Sequence, residues 1–140
     1  MWLLFILSGG GVVALGILDW GNFALTPWLR WPIGGFLGLI GNGLALWAMV
    51  ALGFAPTLGS EGALVRRGPY RFSRNPQYVG YIAALFGWAI LAGSALTFLA
   101  ALVGAGALIL APVAEEPWLL KKYGMAYEEY RCAVPRFIWR

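Results

Sequence analysis

Residues 79–114, VGYIAALFGWAILAGSALTFLAALVGAGALILAPVA, run for 36 positions without an aspartate, glutamate, lysine, arginine or histidine. One straight helix of that length would measure about 54 Å, far more than the roughly 30 Å hydrocarbon core of a bilayer. Gly93 and Ser94 interrupt the run near its middle. Two helices of roughly 15 to 20 residues joined by that tight turn make a transmembrane hairpin. Each arm is short for a full span, so a tilted or thinned bilayer and a partly re-entrant hairpin both fit. One long bent helix is the weaker alternative.

Moving outward, the run is flanked by two polar islands. RRGPYRFSRNPQYVG at 66–80 packs Arg66, Arg67, Arg71 and Arg74 among prolines and tyrosines, and EEPWLLKKYGMAYEEYRCAVPRF occupies 115–137. Further upstream lie two more apolar segments. The first is Trp2 to Leu18, which reads as a retained transmembrane helix more than a signal peptide, since no basic residue precedes it and no small-residue cleavage site follows. The second covers 33–54 and is closed by Pro56. Within it Gly34 and Gly38, with Gly41 nearby, form a small-residue pattern that suits close helix packing. The expected architecture is therefore all-α and polytopic: a single membrane domain over 1–140, with two transmembrane helices in 1–58, and a loop, hairpin and tail in 59–140.

Composition agrees. Hydrophobic residues make up 61% of the chain and charged residues 11%, against about 25% charged in a typical soluble domain. The net charge of +4 resides almost wholly in the islands, which points to a membrane surface rather than to nucleic acid. There is no histidine and one cysteine, Cys132. A histidine-assisted nucleophile is excluded, an internal disulfide framework is excluded, and no metal site is expected.

The basic residues set the orientation. Arg66, Arg67, Arg71 and Arg74 precede the hairpin, and Lys121, Lys122, Arg131, Arg136 and Arg140 follow it. Both groups fall on one face, expected to be cytoplasmic with both termini, while the 19–32 loop with Arg30 lies opposite. In the tail, Pro117 suits the first turn of a new amphipathic helix carrying Leu119, Leu120, Tyr123, Tyr127 and Tyr130, which Gly124 weakens or breaks. That helix would lie at the interface or fold over a pocket.

The hairpin brings 75–80 and 111–117 together. Asn75 followed by Pro76 reads as a helix cap and first turn, with free N–H groups and a partial positive charge that Arg74 reinforces. The opposing end carries Glu115 and Glu116. One pocket would then have a positive and a negative wall, matching a zwitterion, with Tyr70, Tyr78, Trp118 and Tyr127 near enough to add an aromatic face. The plainer alternative is that the arginines set topology and the glutamates are solvated.

The stretch GPYRFSRNPQYVG resembles the Gly-Pro-Tyr … Arg-His/Asn-Pro-x-Tyr-x-Gly signature of the isoprenylcysteine carboxyl methyltransferase-like membrane methyltransferases, and the 115–137 island resembles their Glu-Glu-x-x-Leu … Tyr-x-x-Tyr … Val-Pro-Arg ending. The resemblance covers about 64–138. It implies S-adenosylmethionine bound between the two signatures at the cytoplasmic face. On that basis Arg74 and the Pro76 helix start would take the carboxylate, with Asn75 and Tyr78 beside them. Glu115 or Glu116 would hold the ammonium or ribose, Gly80 would permit close approach, Tyr127 and Tyr130 would close the pocket, and Tyr70 would also contact the cofactor. Arg136 or Arg71 would orient an anionic acceptor, so that Arg74, Glu116 and Arg136 are the residues closest to the chemistry. Where many members have histidine this chain has Asn75, and where they end in proline it has Trp139.

The activity so implied is methyl transfer to a lipophilic or small acceptor (carboxylate, thiol or amine), in a bacterial inner membrane and among membrane lipids. The alternatives are a membrane reductase using a nicotinamide cofactor, whose sterol-acting examples share a similar C-terminal arrangement, and a non-enzymatic transporter or structural protein. Oligomeric state is not readable from the chain.

Overall fold

The apolar run does fold back at its glycine. In the computed structural model, which describes residues 2–22, 26–53 and 62–138, helix α3 (Pro76–Ala92) and helix α4 (Ala95–Tyr123) are separated only by Gly93 and Ser94. Gly93 takes φ 56° and ψ 43°, and its N–H reaches back to Ala89 and Ile90 carbonyls. That left-handed geometry carries a steric penalty for any residue with a Cβ. Ser94 then caps α4: its Oγ accepts from the Thr97 N–H at 3.0 Å, filling one of the orphan donors of the first turn.

The described residues form three other helices, α1 (Trp2–Leu18), α2 (Pro27–Leu52) and α5 (Met125–Ala133), with a short 3-10 turn over Gly68–Arg71. Among the described residues there is no strand. Antiparallel packing of α2 on α3 is the most extensive contact among the described helices, and glycines make it. A Cβ on Gly41 would stand 2.5 Å from the Ala84 nitrogen and 2.6 Å from the Gly80 carbonyl, and a Cβ on Gly34 would stand 2.7 Å from the Leu91 nitrogen. Gly87 presses on the backbone of Gly38 in the same way. The small-residue pattern is thus a helix-packing seam, in which backbones meet directly because no side chain intervenes. α1 leans on the other side of the hairpin, where Gly16 faces the Trp88 ring and Trp88 Nε1 donates to the Val12 carbonyl at 3.2 Å.

Two boundaries differ from the sequence expectation. α2 begins at Pro27 rather than near residue 33, because Pro27 occupies its first turn and the interior Pro32 sits close enough to the start to remove few bonds. The end of that segment, with Phe54 and Pro56, falls outside the described residues, as do Trp139 and Arg140. The second difference matters more. Pro117 does not open a new helix; α4 passes through both Pro112 and Pro117 and stops at Gly124, whose φ is 55°. The amphipathic tail helix is therefore α5 alone, shorter than expected and turned back by that glycine.

α2 and α4, at 26 and 29 residues, are long and apolar enough to cross a bilayer, and only 17% and 22% of their apolar windows are buried. The core helix of a soluble protein would be mostly buried, so lipid is the natural solvent for these surfaces. α1 and α3 have 17 residues each, about 26 Å of helix. They are apolar but shorter, so two helices rather than four pass the length criterion.

Candidate active site

The polar islands meet at the end of the hairpin away from Gly93. Arg74, just before α3, reaches across to Glu116 on α4, Nη1 to Oε1 at 2.7 Å. Arg136, beyond α5, grips the same carboxylate with Nε at 2.8 Å to Oε1 and Nη2 at 2.7 Å to Oε2. Two guanidiniums on one carboxylate leave a net positive charge. The Arg74 and Glu116 side chains are only 9% and 12% exposed, so this charge is poorly screened. Burial pushes the Glu116 carboxyl up, but the hydrogen bond from Arg136 and the charges of Arg74 and Arg136 outweigh it and hold the group below the ordinary glutamate range. Glu116 lies past the uncharged stretch of α4, so this pairing is at the polar end of the helix and not within the apolar span.

Beside the cluster opens a cavity of about 650 Å³, within the range of small-molecule sites. α3, α4 and α5 form its walls together with the extended segment 62–65. Arg74 lines it with its Nε buried and, among the described residues, without a hydrogen-bond partner. Glu115 also lines it and accepts from the Tyr78 hydroxyl at 2.6 Å. The floor is aromatic. Tyr127 Oη stands 3.4 Å from Arg74 Nη1, and Tyr130 donates to the Tyr70 carbonyl at 2.6 Å. Burial raises Tyr127 above the ordinary phenol value and pushes Tyr130 up to about 12, so both hydroxyls stay protonated at neutral pH.

Most expected site residues thus gather at one place: Tyr70, Arg74, Asn75, Tyr78, Glu115, Glu116, Tyr127 and Tyr130 all border the cavity, and so does Trp118. Several assumed geometries need correction. Asn75 does not cap α3: its side chain makes no capping bond and instead donates to the Arg136 carbonyl at 2.9 Å. Its ψ of 55° falls short of the extended geometry a cap adopts. Pro76 does occupy the first turn of α3, but it is buried outside the cavity lining. Gly80 faces the α2 seam, where a Cβ would stand 2.6 Å from the Ala45 nitrogen, so the close approach it permits is that of a neighbouring helix. Both glutamates border the cavity, but Glu116 has both oxygens engaged by arginine, whereas Glu115 accepts from Tyr78. Arg136 borders the cluster, not the cavity. Arg71 is exposed with its guanidinium 4.5 Å from the Phe72 ring centre.

Sequence reading overlooked Gln77, Tyr81, Leu108, Lys122 and Tyr123, which also line the cavity. The signal existed: 108, 111, 115, 119 and 122 recur at three- and four-residue spacing on one helix face. It was hidden by the assumption that Pro117 ends the helix. Tyr123 also pins the outer wall, donating to the Gly62 carbonyl at 2.5 Å.

With this geometry in place, comparison with known proteins is decisive for the family. The profile of the phospholipid methyltransferases matches residues 29–126, most of the chain and nearly all of the site. The chain belongs to the phospholipid methyltransferase family. That family falls within the isoprenylcysteine carboxyl methyltransferase-like membrane methyltransferases, and the membership, together with the two long apolar helices, makes this an integral membrane protein. The chain is also similar to the steroid 5-alpha-reductase DET2 of Solanum lycopersicum, 29% identical over 114 residues, which is 80% of this chain and 44% of that protein. The chain thus spans less than half the length of that relative. No solved structure matches.

Proposed function

We propose that this protein is an S-adenosylmethionine-dependent methyltransferase that modifies a lipophilic or small acceptor at the membrane surface. The observation that carries the reading is the cavity itself, which is bordered by the Arg74 guanidinium, by the Glu115 carboxylate, which has no arginine partner among the described residues, and by several tyrosines. The Arg74 guanidinium borders the cavity, so an anionic group bound there would meet its charge. The carboxylate of the methyl donor fits Arg74, its ammonium fits Glu115, and the aromatic side chains suit both an adenine ring and a sulfonium charge. When bound, this cofactor supplies an electrophilic methyl group. The chain's own part is positioning: Glu116 aims Arg74, Tyr78 orients Glu115, and the buried floor of Tyr127 and Tyr130 excludes water.

The acceptor class is a carboxylate, thiol or amine, arriving from among the membrane lipids, with no role for nucleic acid. The excess of Arg and Lys at the cavity end supports a cytoplasmic orientation in a bacterial inner membrane, with Arg30 at the opposite end and α1 and α3 completing four tilted spans.

Calorimetric titration of the detergent-solubilised protein tests the reading. S-adenosylmethionine should bind, and Arg74→Ala and Glu115→Gln should each weaken it. The similarity to a steroid 5-alpha-reductase supports a second reading, a reductase with a nicotinamide cofactor. A preference for the nicotinamide dinucleotide in the same titration would replace methyl transfer with reduction.

A further inference from the structure

Residues 134–137 follow α5 as an irregular segment and run back across the loop that precedes α3. Three hydrogen bonds hold them there. The Arg74 N–H donates to the Pro135 carbonyl at 3.0 Å, Asn75 Nδ2 donates to the Arg136 carbonyl at 2.9 Å, and Ser73 Oγ lies 3.3 Å from the same carbonyl. Ser73 Oγ also accepts from the Asn75 N–H at 3.1 Å, fixing the loop that presents these donors. The segment so held carries Arg136 into its two-point grip on Glu116.

The energetic logic runs through Glu116. Its carboxylate is faced by Arg74 from the loop before α3, by Arg136 from the strap, and by Tyr127 from α5. Arg136 takes both oxygens, which sets the rotamer of Glu116. That rotamer decides where Oε1 meets Arg74 Nη1, and therefore where the unsatisfied Nε points. Arg136 itself is 39% exposed, so its place depends on the backbone bonds of the strap more than on burial. A side chain so exposed loses considerable rotamer freedom when it is held.

We propose that Asn75 is a positioning residue: with Ser73 it docks the C-terminal strap over the site, so that Arg136 and Glu116 hold Arg74 in the orientation its ligand needs. The role attributed to Asn75 then changes from ligand contact to tail anchor. An imidazole at position 75 has an N–H donor that could make the same bond, and the two residue types are interchangeable there on this account. The part concerning the ligand rests on the proposed methyl-donor site; the strap itself does not.

The experiment uses the full chain in detergent micelles and reads the strap and the ligand separately. Hydrogen exchange at the Arg74 amide reports docking, because that N–H is bonded to the Pro135 carbonyl. In Asn75→Ala its exchange should accelerate by about tenfold or more, and the dissociation constant for S-adenosylmethionine should rise about tenfold, the scale of one polar bond. The acid midpoint of unfolding should also move toward neutral pH, because Glu116 loses part of the pairing that keeps it ionised. Asn75→His should restore all three readings to within about threefold. Ser73→Ala, a milder change, should move them in the same direction and serves if Asn75→Ala does not fold. Unchanged Arg74 exchange in Asn75→Ala overturns the strap. Faster exchange with unaltered cofactor affinity overturns its link to the site. If the parent chain does not bind S-adenosylmethionine but exchange and acid midpoint respond to Asn75 as described, the strap stands and only the methyl-donor reading fails.

Discussion

The two ends of α3 each hold a nearly buried arginine, and the two are used in opposite ways. At the carboxyl end Arg30 of α2 donates from Nε to the Leu91 carbonyl at 2.7 Å and lies 4.7 Å from the centre of the Trp20 ring. A cation belongs there: it meets free carbonyls and the negative pole of the helix. Around it Ser94 donates to Asp19 at 2.5 Å and Gly21 N–H bonds to the Ala92 carbonyl, so the polar groups are consumed in closing the turn. At the amino end Arg74 sits against the positive pole, where an anion belongs. One carboxylate serves two guanidiniums, the Arg74 Nε has no hydrogen-bond partner among the described residues, and a cavity opens beside the Arg74 side chain. The first end stabilises the hairpin and the second leaves charge unspent. A buried arginine is informative about function chiefly through what it leaves unsatisfied.

The sharpest way to break this contrast is Glu116→Ala. It strips the shared carboxylate from both arginines and leaves buried positive charge uncompensated, which should cost about 3–5 kcal/mol of stability and abolish measurable S-adenosylmethionine binding. A thermal melt in detergent with a parallel calorimetric titration checks both effects, and a stable variant that still binds would remove Glu116 from the account.

Acid titration probes the same group without a large cavity. Because Glu116 titrates below the usual value near 4.5 in the folded protein, its pairing contributes stability that is fully present above that value and is lost as pH falls through the lower, folded value. Melting temperature should therefore decline below about pH 4.5, and Glu116→Gln should show a lower but flatter profile.

A crossed pair compares the two ends directly. Arg74→Ala should weaken cofactor binding by about 1–3 kcal/mol, the worth of a hydrogen bond to a charged group. Arg30→Ala should lower the melting temperature while leaving the dissociation constant unchanged. Equal effects of both variants on binding would mean that the ends are not functionally distinct. The smallest expected change is Ser94→Ala, which removes the cap of α4 and should cost about 1 kcal/mol with no effect on binding, as read by chemical denaturation.

How much of this was legible in the chain differs between its parts. The hairpin was, because Gly93 and Ser94 are the residues that a left-handed turn and a helix cap require, and nothing charged lies on either side for many residues. The glycine seam was half legible: the spacing of Gly34, Gly38 and Gly41 implies close packing, but not that Gly80 and Gly87 are its partners. The run of α4 through Pro117 was misread, since an interior proline normally ends a helix. That reading still put Glu115 on the pocket wall, but it assigned Lys122 to a separate tail helix. The division of labour between Glu115 and Glu116 could not be read at all, because adjacent residues on a helix point about 100° apart and only the position of the partners says which one meets them.

By itself, the order of residues determined that this chain is helical, lives in lipid, and gathers its charges at one end of a hairpin. Those outcomes follow from local composition, since a long uncharged run has no stable place in water and a glycine–serine break needs no distant partner. Tertiary structure alone decided that Arg136 returns to Glu116, that the Asn75 side chain meets the tail backbone, and that Arg74 comes to border the cavity. Each of those depends on groups 20 to 61 positions apart in the chain, and such distances close only when the helices pack.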